Sequence, residues 1–139
     1  MNLDSRLAPY RTEVAIQPGL EAAVSKTVEH EHLAIVMGSG DVPVLSTPQV
    51  LAWSEEATML ALESALEPEE TSVGMRITLD HVRPSIPGQV VTARATIDRI
   101  EGRRVTFGIE VSDEAGDQLA TGTVVRVVID RERFLSRLG

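Results

Sequence analysis

Hydrophobic and polar positions along the chain change period once. From Ser46 to Leu66, STPQVLAWSEEATMLALESAL, apolar residues recur at three- and four-residue spacing, which predicts a helix over 48–66. Beyond it, apolar and polar residues alternate, which predicts strands over 72–83, 89–100, 104–112 and 118–129. The connections PSIPG, EGR and DEAGD are short and rich in turn formers, so consecutive strands should pair as antiparallel hairpins. Ahead of the helix, residues 12–16 and 24–32 read as two short strands joined through Gln17-Pro18-Gly19, and 37–46, MGSGDVPVLS, as a loop. Residues 130–138 read as a short terminal helix. Thr47 stands before Pro48 and fits the helix N-cap, with proline in the first helical position; Ser46 with Gln49 offers a competing register.

One long apolar helix between early strands and a four-stranded meander predicts an α+β fold, the hotdog arrangement, in which a curved antiparallel sheet wraps the helix. The helix carries Leu51 and Leu62 on one side and Val50, Trp53 and Leu60 on the other. That is more apolar surface than one small sheet covers, so a second subunit is expected, as a homodimer or a dimer of dimers.

The length, 139 residues, suits a single domain spanning 1–139. A net charge of −8 argues against nucleic-acid and anionic-membrane partners, because both need a clustered positive field; any anionic ligand must find local arginines. The absence of cysteine excludes disulfides and thiol nucleophiles. No run approaches the roughly 18 apolar residues of a membrane span, and a cytoplasmic protein is the expectation. EHEH (29–32) has metal-like spacing, but on a strand its histidines share a solvated face with no identifiable third ligand, so no metal is expected. GSGD (38–41) lacks the P-loop lysine, and there is no GxSxG elbow.

The adjacent Glu55 and Glu56 are the informative pair. At about 100° per residue Glu56 shares a polar stripe with Gln49 and Glu63, whereas Glu55 falls among Leu51, Met59, Leu62 and Leu66. A carboxylate on an apolar face requires a partner or a purpose. In SVGMRITLDHVRP (72–84) the odd positions Val73, Met75, Ile77, Leu79 and His81 form the apolar row, which makes the core-facing His81 the best candidate partner. Arg126, alternating with Val124 and Val128, could instead pair with Glu55 or meet an anionic substrate.

VLSTPQVLAWSEEA, LEPEETSVGMRITLDHVRPSIPG, EGRRVTFGIEV and ATGTVVRVVI resemble the hotdog-fold acyl-CoA thioesterases, most closely the fluoroacetyl-CoA thioesterase type, over nearly the whole chain after about Ala15. In that family a threonine at the helix start, a glutamate eight residues on, a glycine before the strand, a histidine along it and a late arginine belong to the active site. Thr47, Glu55, Gly74, His81 and Arg126 occupy the matching places. The resemblance implies hydrolysis of a short or medium acyl-CoA, with Glu55, His81 and Thr47 catalytic, Gly74 and Arg126 binding substrate, and no cofactor beyond the substrate's own coenzyme A. The fluoroacetyl-CoA enzyme has phenylalanines in the loop before the helix where this sequence has GSGDVPVLS, so the acyl group stays open. A hotdog hydratase or dehydratase and a non-catalytic acyl-CoA-binding module are the rival readings.

Overall fold

The computed structural model describes residues 14–139. The strands are β1 (Glu21–Thr27), β2 (Glu70–His81), β3 (Val90–Glu101), β4 (Arg104–Asp113) and β5 (Gln118–Asp130). The α-helices are α1 (Ala34–Met37), α2 (Thr47–Glu63) and α3 (Arg131–Ser136). All strand pairings are antiparallel, and the sheet order is β1-β3-β4-β5-β2. The hairpins β3-β4 and β4-β5 follow from the short turns, whereas the expected β2-β3 hairpin does not form: β3 pairs with β1 and β2 crosses to pair with β5, so β1 and β2 become the two edges. This is the expected α+β hotdog layout, with the sheet curled around α2.

Alternation places Val91, Ala93, Ala95 and Ile97 of β3 and Val105, Phe107, Ile109 and Val111 of β4 in the core. They meet Val50, Trp53, Ala57, Ala61 and Leu62 of α2, and aliphatic side chains fill most of the space. Among the described residues no helix is long and apolar enough to cross a membrane.

Several expected boundaries move. Of the early strand, residues 12–13 lie outside the described residues, and Val14–Ile16 form no strand. The next strand begins at Glu21 and stops at Thr27; His30–His32 is instead a 3-10 turn. There the His32 ring packs edge-on against Trp53, with centroids 4.9 Å apart, and its Nδ1 accepts from the Glu29 N–H. The EHEH histidines therefore do not share a strand face. Part of the expected loop is helical as well: α1 ends on Gly38, whose φ of 84° suits a residue without a Cβ.

The N-cap of α2 is Ser46, and Thr47 is the first helical residue. The Ser46 hydroxyl accepts from the Gln49 N–H at 3.2 Å, so the competing register prevails. The expectation that Thr47 caps the helix is thereby corrected, and its hydroxyl is released for other work.

Candidate active site

Sheet edge β2 and helix α2 together position the residues singled out from the sequence. A β-bulge falls between Gly74 and Arg76, where one extra residue reverses the alternation. Beyond it, Ile77, Leu79 and His81 oppose Val124, Gly122 and Ala120 of β5 and keep the expected odd-numbered face. Before it, Gly74 opposes Arg126 and takes that face in place of Val73 and Met75, and Met75 is 40% exposed. Strict alternation therefore misassigned Val73 and Met75, because a bulge is invisible to a period-two reading.

Glu55 meets this face at Gly74. A Cβ added to Gly74 would overlap Glu55 Oε2, so glycine is what lets the carboxylate lie against the strand. The partner of Glu55 within the chain is Arg126, with Nη1 at 3.7 Å from Oε2. Arg126 is buried, and its Nε donates to Ser72 Oγ at 2.9 Å, its Nη2 to the Ser72 carbonyl at 3.1 Å and its Nη1 to Thr58 Oγ1 at 3.4 Å. Burial pulls the guanidinium below its ordinary range while Glu55 opposes that pull. Ser72 and Thr58 were not anticipated; they aim Arg126. The available signal was their position beside the Gly74 and Glu55 rows.

The Glu55 side chain is 36% exposed, the same as Glu56, so the expected contrast between a core and a solvated carboxylate does not hold in one chain. Helical phase separates the two by partner instead. Glu56 turns toward β1, where Lys26 Nζ lies 3.1 Å away.

The other pair sits at the opposite end of β2. Thr47 Oγ1 and His81 Nδ1 are 2.8 Å apart. His81 Nε2 is buried and has no hydrogen-bond partner among the described residues. Burial lowers the His81 pKa from 6.5, the Arg83 backbone opposing more weakly, so the imidazole is neutral at pH 7. When Nδ1 accepts from Thr47, Nε2 carries the proton and is an unused donor. A cavity of about 340 Å³ opens onto this pair, walled by Ala34, Gly40, Val42 and Val44.

Seven residues separate Gly74 from His81, roughly 20 Å of strand. The structure thus brings Glu55, Gly74 and Arg126 together at one end and Thr47 with His81 at the other; within one chain His81 is not the partner of Glu55. Among the described residues no cluster of three or more His, Asp or Glu side chains is placed to hold a metal ion.

Residues 28–132 match the family model described as fluoroacetyl-CoA-specific thioesterase, FlK. The chain is 31% identical over 113 residues to the fluoroacetyl-CoA thioesterase of Streptantibioticus cattleyicolor, covering 81% of each protein. The crystal structure of FlK superposes with a TM-score of 0.81 at 26% identity, covering 90% of this chain and 96% of that one. A Thermus thermophilus member of the thioesterase superfamily gives 0.82 at 26% identity, over 88% and 90% of the two chains. A hot-dog-like protein from Thermanaerovibrio acidaminovorans gives 0.78 at 27% identity, over 89% and 94%.

Proposed function

Because the chain belongs to the fluoroacetyl-CoA-specific thioesterase family and is an acyl-CoA thioesterase, we propose that residues 1–139 act as one unit that hydrolyses a short or medium acyl-CoA at sites completed between two copies. The observation that carries this reading is the placement of two half-sites at opposite ends of one unpaired edge strand. No residue of β2 is buried, whereas β3, β4 and β5 all carry buried rows. A 12-residue edge with open N–H and C=O groups is a template for a second strand. Antiparallel pairing of two β2 strands about a two-fold axis near Thr78, with Met75 as the extra residue of the bulge, sets Gly74 opposite the partner's His81. Both face the helix layer. Each Glu55 then stands before an imidazole held by a threonine, and Met59 and Met75, 47% and 40% exposed, gain cover.

In this arrangement the Glu55 carboxylate takes a proton from water as the water oxygen adds to the thioester carbonyl carbon. Direct attack by the carboxylate is the variant of the same step. The neutral imidazole donates from Nε2 to the carbonyl oxygen as negative charge develops there, and Thr47 fixes the ring through Nδ1. Collapse breaks the C–S bond, and the departing thiolate recovers the proton. Arg126 orients Glu55 through the ion pair, and Gly74 keeps the strand free of a side chain beside it. The steps use only groups on the chain and the coenzyme A already in the substrate. The acyl chain occupies the cavity beside Thr47 and His81, on the side lined by Ala34, Val42, Val44 and Leu45, with Ser39 and Arg83 also bordering it.

Subunit mixing tests the reading. Glu55→Gln and His81→Ala homodimers should each lose about 10² or more of thioester turnover, read as free thiol. After equal mixing and full exchange, half the dimers are hybrids and one of two sites in each is intact. Activity should return to about a quarter of wild type. No recovery despite demonstrated exchange would sink the shared site, and absence of thiol release by wild type across an acyl-CoA panel would sink the hydrolysis.

A further inference from the structure

A chain with 21 acidic and 13 basic residues repels a polyanion at large, so its few unpaired cations mark where one can land. Lys26, Arg83, Arg94, Arg99 and Arg126 each have a carboxylate within 4 Å. Of the arginines with none among the described residues, Arg76 stands alone on β2. Of the other five, Arg131 lines a cavity with Glu63, Glu67 and Glu70, whereas Arg103, Arg104, Arg133 and Arg137 belong to the β3-β4 turn, the start of β4 and α3 with the residue after it. Arg103, Arg133 and Arg137 line one cavity of about 200 Å³ together with Val127, Ile129 and Phe134. Asp130 also borders it, but its carboxylate accepts from the Arg133 N–H as the cap of α3. Arg103 is held by donating Nη1 to the Val128 carbonyl at 3.0 Å, which leaves the rest of its fork available. Phe134 is 37% exposed, whereas Trp53 and Phe107 are buried.

We infer that this cavity binds the 3′-phosphorylated adenosine diphosphate end of coenzyme A. The inference rests on the acyl-CoA reading above. Three arginine forks match phosphate oxygens, which they grip bidentately, and an exposed aromatic ring over an aliphatic ledge matches the adenine. A simple anion would need no ring, and an apolar ligand would need no arginines. The position suits a substrate whose thioester reacts beside Gly74. Gly74 opposes Arg126 and Glu70 opposes Asp130, so the cavity begins about 13 Å along the strands from the carboxylate, and because Val127 and Ile129 alternate with Arg126 it opens on the other face of the sheet, so that the arm has to round the β2 edge. In the two-fold pairing the partner's strand ends opposite Gly74, which leaves the Glu70–Val73 edge uncovered as the track for the pantetheine arm.

The test compares wild type, the double variant Arg133→Gln/Arg137→Gln and the charge-matched control Arg94→Gln/Arg99→Gln on one acyl group carried by coenzyme A and by pantetheine alone. Wild type and control should prefer the coenzyme A thioester in kcat/KM. The double variant should lose that preference by tenfold or more, through KM rather than kcat. A preference unchanged in the double variant, or lost equally in the control, overturns the site. Calorimetric titration with 3′-phosphoadenosine 5′-diphosphate decides the same question without turnover. Binding to wild type weakened at least tenfold in the double variant supports the site even if hydrolysis fails. No binding to wild type at millimolar ligand overturns it even if hydrolysis is normal.

Discussion

Replacing Glu55 by Gln should change the titration of a histidine roughly 20 Å away in its own chain, and the size of that change reports where the partner subunit sits. The perturbation removes one negative charge and little volume. Within a single chain, charges some 20 Å apart in a water-like medium interact by about 0.2 kcal/mol, less than a twofold change in proton affinity even before salt screening. Across the two-fold contact the carboxylate would stand at roughly 5 Å from the partner's His81, worth about 3 kcal/mol at an effective dielectric of 20. Arg126, 3.7 Å from the same carboxylate, offsets part of this, and about a tenfold change in proton affinity should survive. The sign is fixed. Burial already lowers the His81 pKa from 6.5, and loss of a facing carboxylate lowers it further. Carbon-detected NMR of the labelled imidazoles, with His30 and His32 as internal controls and His81→Ala for assignment, reads it directly. A shift of less than twofold, or an upward one, would refute the juxtaposition.

The helix register predicts a division of labour that melting curves and thiol release can check: Ser46→Ala should cost about 1 kcal/mol of stability with chemistry retained, and Thr47→Ala should lower turnover with little change in stability. Glu56→Gln breaks a half-exposed pair with Lys26 and should shift stability by at most ~0.5 kcal/mol while turnover persists; a dead Glu56→Gln would overturn the assigned phase. Gly122→Ala sets a Cβ against the Thr78 carbonyl and should cost about 1–3 kcal/mol, seen as a lower Tm. Since the folded state holds His81 neutral, its contribution to stability is full above pH 6.5 and falls as pH drops from there through the lowered folded value; His81→Asn should flatten that part of the profile in urea titrations.

What the sequence made legible was what periodicity encodes. The strands β3 and β4 lie close to their expected spans because each buries a largely alternating row, β5 because it is rich in β-branched residues between turn formers, and α2 because its apolar residues recur at helical spacing. Where local chemistry competes with pattern, the pattern failed. His30–His32 turns as the His32 ring accepts from the Glu29 N–H and the Glu29 carbonyl accepts from the His32 N–H, an alternative to strand pairing that hydropathy does not register. The same competition decided the N-cap: Ser46 and Thr47 are chemically alike, and the register was set by which hydroxyl reaches the Gln49 N–H.

The five candidate residues were picked out by their match to the family pattern, and their grouping in space was not legible in the sequence. Helix phase and strand alternation put Glu55 and His81 on the same layer of the fold, but neither carries information about distance along the axis. The bulge at Gly74 and the buried fork of Arg126 supply that information, fixing Glu55 at one end of β2 while Thr47 fixes His81 at the other. The proposed acid–base pair, split in this way, has a physical consequence. In the lone chain Glu55 is already satisfied by Arg126, and His81 keeps a buried donor with nothing to receive it. A buried, unmet N–H is unfavourable by about 1–3 kcal/mol, and in the two-fold pairing we propose the partner's carboxylate or the substrate's carbonyl oxygen would accept from it. In that proposed arrangement the one nitrogen would favour both association and substrate capture, and assembly and catalysis would be linked through it.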